Sequence, residues 1–268
     1  MLGSPSPDHT GAPVALAHAE AGSGPPLLLL AGLGSDRDFW KAHLPLLARR
    51  YRVIVPDPRG SGESAAPAGP YSAAEMAGDA LALLDRLGIA EASVAGHSLG
   101  GMVALEMALA APGRVRALVL AATGARPHPL TLFCLEVAGT LWESGCAPET
   151  LVRTFLTWTA SGAVLASPER VRSAVEEQLR PRVPQPLPAW RAQAAAVTTF
   201  DVRGRLPEIG CPALVIAGDE DCLLPVAVSR ELAEGIPGAR FEALPGAGHN
   251  GIAEDPAGFC RMLERFLG

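Results

Sequence analysis

The feature that most constrains this chain is the junction at residues 92–110. The apolar run Ala92-Ser93-Val94-Ala95 meets Gly96-His97-Ser98-Leu99-Gly100, and the helical stretch Leu99–Ala110 follows until Pro112-Gly113 stops it. A strand that turns at once into a helix strains the residue at the apex, so its neighbours on both sides must be small. Gly96 precedes Ser98, and Gly100 and Gly101 open the first helical turn and allow close packing beneath it. A chain committed to this β–turn–α unit is committed to a mostly parallel sheet. Ser98 then stands ahead of a helix N-terminus whose free N–H groups can receive a developing negative charge, which makes it a candidate nucleophile.

The rest of the chain repeats the rhythm. Strands are expected at Val14–Ala19, Pro26–Ala31, Tyr51–Asp57, Ala92–Ala95, Val115–Ala121, Ala213–Ala217 and Phe241–Leu244, alternating with helical segments. The helix after Tyr71 carries a capping box (Ser72, Glu75) and a hydrophobic staple (Tyr71, Met76). Met76, Ala80, Leu83, Leu84 and Leu87 follow on one face. The fold class is therefore α/β, a mostly parallel sheet flanked by helices. The 268 residues suffice for one large domain with an insertion.

Between about 124 and 205 the strand rhythm stops. The stretch is helical and apolar, with Leu132, Phe133, Trp142, Phe155 and Trp158, and includes the proline-studded run 181–188. It reads as a lid (124–205) inserted into a core made of 1–123 and 206–268. Such a lid would cover the C-terminal ends of the strands, where open α/β sheets bind ligands. A helical subdomain with a structural job is the alternative.

A net charge of −6 gives no reason to seek nucleic acid. The Met1–Pro13 head has neither a basic nor an apolar signal region and is expected to fray. Leu27–Leu30 is too short to cross a bilayer, so no membrane is implied. Cys134, Cys146, Cys211, Cys222 and Cys260 are odd in number and scattered, and read as free thiols in a reducing cytoplasm. Nothing here sets an oligomeric state.

A serine hydroxyl needs a base at neutral pH. His249 lies in the glycine-rich loop Leu244-Pro-Gly-Ala-Gly-His249 after the last strand, where catalytic side chains are presented. His9 lies in the head, His18 in or beside a strand, His43 on a helix and His128 near the lid. His97 adjoins Ser98 but points elsewhere by the geometry of a tight turn. The base needs a carboxylate to fix its tautomer, and Gly218-Asp219-Glu220-Asp221 supplies three acids in the chain order nucleophile, acid, histidine. A solvated acidic turn is the alternative.

Taken together, Ala95-Gly-His-Ser-Leu-Gly-Gly101, Asp57-Pro-Arg-Gly-Ser-Gly-Glu-Ser64, Gly218-Asp-Glu-Asp221 and Pro245-Gly-Ala-Gly-His249 resemble the signature loops of the α/β-hydrolase superfamily. Within it, Gly69–Ser72 through Leu83–Gly88 is similar to 3-oxoadipate enol-lactonases and related small-ester hydrolases. The resemblance implies a Ser98–His249–Asp221 triad and places oxyanion donors at the Leu33 and Leu99 amides, with Gly32 in the same loop. It implies cleavage of a small ester or lactone through an acyl-enzyme, with no cofactor and no metal. Ala31 stands where the family often has histidine. Trp40, Trp142, Trp158 and Trp190 are candidates to line the pocket, with packing the alternative for each. Asn250 either bonds substrate or faces solvent.

Other readings stay open. The same triad serves C–C hydrolysis, thioester cleavage, acyl transfer or perhydrolysis, and a small-molecule receptor could keep the pocket without turnover. Gly60-Ser-Gly-Glu-Ser-Ala65 nominally fits a dinucleotide fingerprint, but Ala65-Ala-Pro-Ala-Gly-Pro70 cannot supply the helix that motif needs. Cys222 reads as a bland thiol, and Arg59 with Asp57 as a tie between loops.

Overall fold

The computed structural model describes residues 12–180 and 183–268. His9 and most of the head, and the start of the proline run at 181–182, lie outside the described residues. Seven strands form one sheet: β1 (His18–Ala21), β2 (Pro26–Leu30), β3 (Arg52–Pro56), β4 (Ala92–His97), β5 (Val115–Ala121), β6 (Ala213–Gly218) and β7 (Arg240–Leu244). Their order across the sheet is β1-β3-β2-β4-β5-β6-β7. Every pairing is parallel except β1 with β3 at the edge.

The helices are α1 (Leu44–Leu47), α2 (Ala73–Arg86), α3 (Leu99–Ala110), α4 (Pro129–Glu143), α5 (Pro148–Thr159), α6 (Gly162–Leu165), α7 (Pro168–Gln178), α8 (Leu187–Thr198), α9 (Val226–Gly235), α10 (Gly251–Glu254) and α11 (Pro256–Leu267). Five of them, α4 to α8, intervene between β5 and β6.

Strand alternation builds two core layers. Leu28 and Leu30 face the layer holding α2, α3 and α8, while Leu27 and Leu29 face the layer holding Trp40 and α11. Both layers are buried, so the central strands read as unbroken apolar runs, as parallel strands covered on both faces do. The α2 N-terminus follows the capping box in full. Ser72 Oγ accepts from the Glu75 N–H at 3.2 Å and Glu75 Oε2 accepts from the Ser72 N–H at 2.8 Å, with Tyr71 and Met76 buried across it.

The first strand departs from expectation. It starts at His18 rather than Val14, because the backbone ahead of it is claimed elsewhere. The Val14 N–H donates to Asp79 Oδ1 of α2 at 2.7 Å, and the Ala17 N–H donates to Ser64 Oγ at 2.9 Å.

Candidate active site

At the β4–α3 junction Ser98 adopts φ 53° and ψ −119°, a conformation strained for any residue with a side chain. Its N–H donates to the Ala121 carbonyl at 2.9 Å, which pins the turn to β5. The glycines around it have no room for more. A Cβ on Gly96 would lie 2.3 Å from the Gly100 oxygen, and one on Gly100 would lie 2.2 Å from the Leu30 oxygen. Ser98 itself is half-buried within this rigid frame.

The loop after β2 passes beside it. A Cβ on Gly32 would fall 3.2 Å from Ser98 Cβ and 3.1 Å from His97 Nδ1. Gly32–Ser35 closes a turn, with the Ser35 N–H donating to the Gly32 oxygen at 3.2 Å. Gly34 takes φ +77°, the value a type II turn requires at its third position. Neither the Leu33 N–H nor the Leu99 N–H donates to another group among the described residues. Both N–H groups are therefore open to another partner, the Leu99 N–H at a helix N-terminus and the Leu33 N–H in the loop whose Gly32 approaches Ser98.

Asp221 and His249 meet from the loops after β6 and β7. His249 Nδ1 lies 2.8 Å from Asp221 Oδ2, with both residues buried. The other Asp221 oxygen accepts from the Leu223 and Leu224 N–H groups at 2.9 and 2.8 Å, which fixes the carboxylate as an acceptor toward the ring. Asp219 and Glu220 go elsewhere. Asp219 Oδ1 accepts from Gly246 N, and Glu220 Oε2 accepts from Gly162 N.

His97 supports this pair from below. Its Nε2–H donates to the His249 carbonyl at 3.0 Å, and the two rings lie 5.0 Å apart. Full burial, with His249 close by, pushes the His97 pKa down to about 3, so His97 stays neutral and adds no charge beneath His249.

The other candidates divide. Trp142 packs on Trp190 at 5.8 Å, and Trp158 packs on Phe155, which in turn meets Trp190 at 6.3 Å. Trp190 lies 3.4 Å from where a Gly34 Cβ would be, so this aromatic chain reaches the Leu33 loop. Asn250 opens α10 and donates its N–H to the Thr159 carbonyl of α5 at 2.9 Å. Trp40 does not line the site. It is fully buried in the opposite core layer, against His43 and Phe259 with ring centroids 4.9 and 5.7 Å away.

Arg59 is also placed otherwise than expected. Its Nε and Nη2 donate to Asp79 at 2.5 and 2.8 Å, tying the loop to α2, while Asp57 accepts from the Arg37 and Glu63 N–H groups at 2.9 Å each. Cys222 is exposed, its thiol 3.5 Å from the Glu220 carbonyl.

Sequence reasoning passed over Gln193 of α8 and Gln185 ahead of it. Gln193 Oε1 accepts from the Gly34 N–H at 3.2 Å, and its Nε2 donates to Arg59 O at 2.7 Å and Ser61 Oγ at 3.0 Å. Gln185 Nε2 donates to Gly60 O, Ser61 Oγ and Gln193 Oε1. Apart from the contact between the two glutamines, these partners are more than a hundred residues away, and no local pattern signals them.

A hydrolytic α/β frame with a serine elbow, a buried Asp–His pair and two free amides is the class that fold and site define together. A family profile described as the alpha/beta hydrolase fold matches residues 25–144. A protein of Azorhizobium caulinodans, provisionally named carbamate hydrolase RutD, is 38% identical over 253 residues, 92% of each chain. A hydrolase from Pseudomonas aeruginosa superposes with TM-score 0.85 at 34% identity, covering 95% of both chains. The enol-lactonase from Burkholderia xenovorans gives TM-score 0.85 at 29% identity, covering 95% of this chain and 99% of its own. This chain belongs to the α/β-hydrolase superfamily and is a hydrolase. Among the described residues no helix is long and apolar enough to cross a membrane.

Proposed function

We propose that the protein cleaves a small carboxylic ester or lactone through Ser98, His249 and Asp221. The observation that carries the proposal is the 2.8 Å contact between His249 Nδ1 and Asp221 Oδ2, with the second Asp221 oxygen saturated by two backbone N–H groups. That arrangement leaves His249 Nε2 as the free acceptor a serine hydroxyl needs.

In the proposed cycle Ser98 Oγ attacks the substrate carbonyl and passes its proton to His249 Nε2. The tetrahedral oxyanion is received by the Leu33 and Leu99 amides, each such donor being worth about 3–4 kcal/mol. His249 then protonates the leaving oxygen, and an acyl group remains on Ser98. Water repeats the sequence: His249 takes its proton, the hydroxide attacks, and the carboxylate leaves as Ser98 regains its proton. The helices α4–α8 act as a lid whose Trp142, Phe155, Trp158 and Trp190 favour an apolar acyl or alcohol portion. Gly32 and Asn250 line the polar side.

A second reading, a carbamate C–N bond cleaved by the same residues, is favoured by the provisional names of relatives up to 38% identical. There His249 would protonate a leaving nitrogen instead of an oxygen.

The test is p-nitrophenol release from short acyl esters at pH 7.5, alongside ammonia release from a small carbamate, wild type against Ser98→Ala. Ester turnover that vanishes in the variant is the expected result. Carbamate turnover without ester turnover favours the second reading. Activity that survives Ser98→Ala overturns both.

A further inference from the structure

We propose that Gln193, on the lid helix α8, is a positioning residue that locks the oxyanion loop in its working conformation. The inference rests on the serine-hydrolase reading of the site. Gln193 is completely buried, in a helix whose other buried positions are mostly alanine. A primary amide in such a place is costly unless every polar atom is satisfied. Here every one is. Oε1 accepts from the Gly34 N–H (3.2 Å) and from Gln185 Nε2 (3.0 Å), while Nε2 donates to Arg59 O (2.7 Å) and Ser61 Oγ (3.0 Å). Packing alone would be served as well by methionine or leucine. Only an amide offers an acceptor to one loop and donors to another at once.

The bond to Gly34 is the informative one. Its N–H belongs to the central peptide of the Gly32–Ser35 turn, and the orientation of that peptide distinguishes a type II turn from a type I turn. Glycine tolerates both signs of φ, so nothing local holds Gly34 at +77°. Gln193 Oε1 supplies the restraint from 159 residues away. The Leu33 N–H lies in the adjoining Gly32–Leu33 peptide, so a fixed 33–34 peptide holds the Leu33 Cα from which that donor is presented, next to where Gly32 passes Ser98. If the 33–34 peptide turned over, the Leu33 carbonyl would swing to where the Gly34 N–H now lies, the turn would re-form with Leu33 displaced, and the transition state would lose its donor while the substrate lost little. Ala31, where the family often carries histidine, leaves the loop without that side chain's support, and the lid glutamine takes over the task.

The experiment compares wild type, Gln193→Met, Gln193→Glu and Gln185→Met. Four readouts are taken: kcat and KM on p-nitrophenyl acetate, the rate of covalent labelling by a fluorophosphonate, thermal midpoint, and amide exchange of the peptide spanning 30–36. Gln193→Met should lower kcat and the labelling rate by about 10- to 100-fold, with KM within about threefold, and should speed exchange in that peptide alone. Gln193→Glu keeps an oxygen facing Gly34, and its other oxygen, kept protonated by burial, can donate to the Arg59 carbonyl in place of Nε2, so the variant should recover most of kcat and of the exchange protection. Gln185→Met should stay within about threefold of wild type. A loss carried by KM instead of kcat would mean a packing role, and so would Gln193→Glu matching Gln193→Met; either overturns the proposal. If Gln193→Met fails to fold, Gln193→Glu decides, because unprotected amides at 32–35 with the oxygen retained contradict the lock. A folded wild type inert to both ester and fluorophosphonate removes the serine-hydrolase reading and this inference with it. An active wild type with an unaffected Gln193→Met removes this inference alone.

Discussion

The elbow and the α4–α8 insertion are held by opposite means. Around Ser98 the frame is set by what cannot be added: Gly96 and Gly100 each face backbone oxygens that a Cβ would strike at 2.2–2.3 Å. In the insertion, aromatic rings 5.8–6.3 Å apart and side-chain hydrogen bonds such as that from Thr131 Oγ1 to the Leu223 carbonyl (2.7 Å) do the holding. The contrast shows a division of labour. A nucleophile must be fixed within a fraction of an ångström, and steric exclusion achieves that. A surface that accommodates one substrate or another needs packing that can be redrawn without unfolding the core.

Four changes would break or sharpen this contrast, the largest first. Asp221→Asn leaves the Leu223 and Leu224 N–H groups an acceptor but removes the charge that fixes the His249 tautomer. Steady-state assays should show kcat reduced by about 10⁴-fold with a near-normal thermal midpoint. Gly100→Ala drives a Cβ into the Leu30 carbonyl, which is backbone and has nowhere to go. Urea unfolding should show a loss of about 3 kcal/mol or more, or no folded protein at all.

The third change concerns acid. His97 and His43 are both buried, and desolvation is the main reason their pKa values lie below the usual histidine value, at about 3 for His97. Below about pH 6.5 the unfolded chain takes up protons on both residues that the folded chain resists, down to about pH 3 for His97. Their contribution to stability is therefore complete above about pH 6.5 and is lost as pH falls below it. His43→Gln removes one such group while an amide nitrogen can still reach the Ile252 carbonyl. The pH slope of stability in that range should flatten by up to about 1.4 kcal/mol per pH unit, read from urea titrations at several pH values.

The smallest effect belongs to the lid. Trp142→Ala opens space beside Trp190 without touching the sheet. KM for longer acyl esters should shift by about three- to tenfold while kcat for acetate stays near wild type. If Trp142→Ala cost as much stability as Gly100→Ala, the division between a rigid elbow and an adaptable lid would not stand.

The legible parts of this molecule are those whose physics is local. The β4–elbow–α3 unit, the capping box at Ser72 and the paired acid and histidine loops each spell their geometry within a few residues. Strand positions were readable for the same reason, apart from β1, whose start was moved by Asp79 and Ser64 from far along the chain. Trp40, for which the sequence left pocket lining or packing open, packs: its side chain belongs to the α11 layer, a direction that no local pattern encodes. Arg59 found its carboxylate on α2, not on the neighbouring Asp57. Gln193 was invisible because a glutamine on an alanine-rich helix carries no signal until the fold brings Gly34 and Ser61 to it.

The most direct test of the central claim is mass spectrometry of the protein quenched during turnover of a slowly deacylating p-nitrophenyl ester. The account predicts an adduct of the acyl mass on the peptide containing Ser98, accumulating in step with a burst of p-nitrophenol and absent from Ser98→Ala. Turnover with no adduct on that peptide, or an adduct that persists in Ser98→Ala, would contradict it.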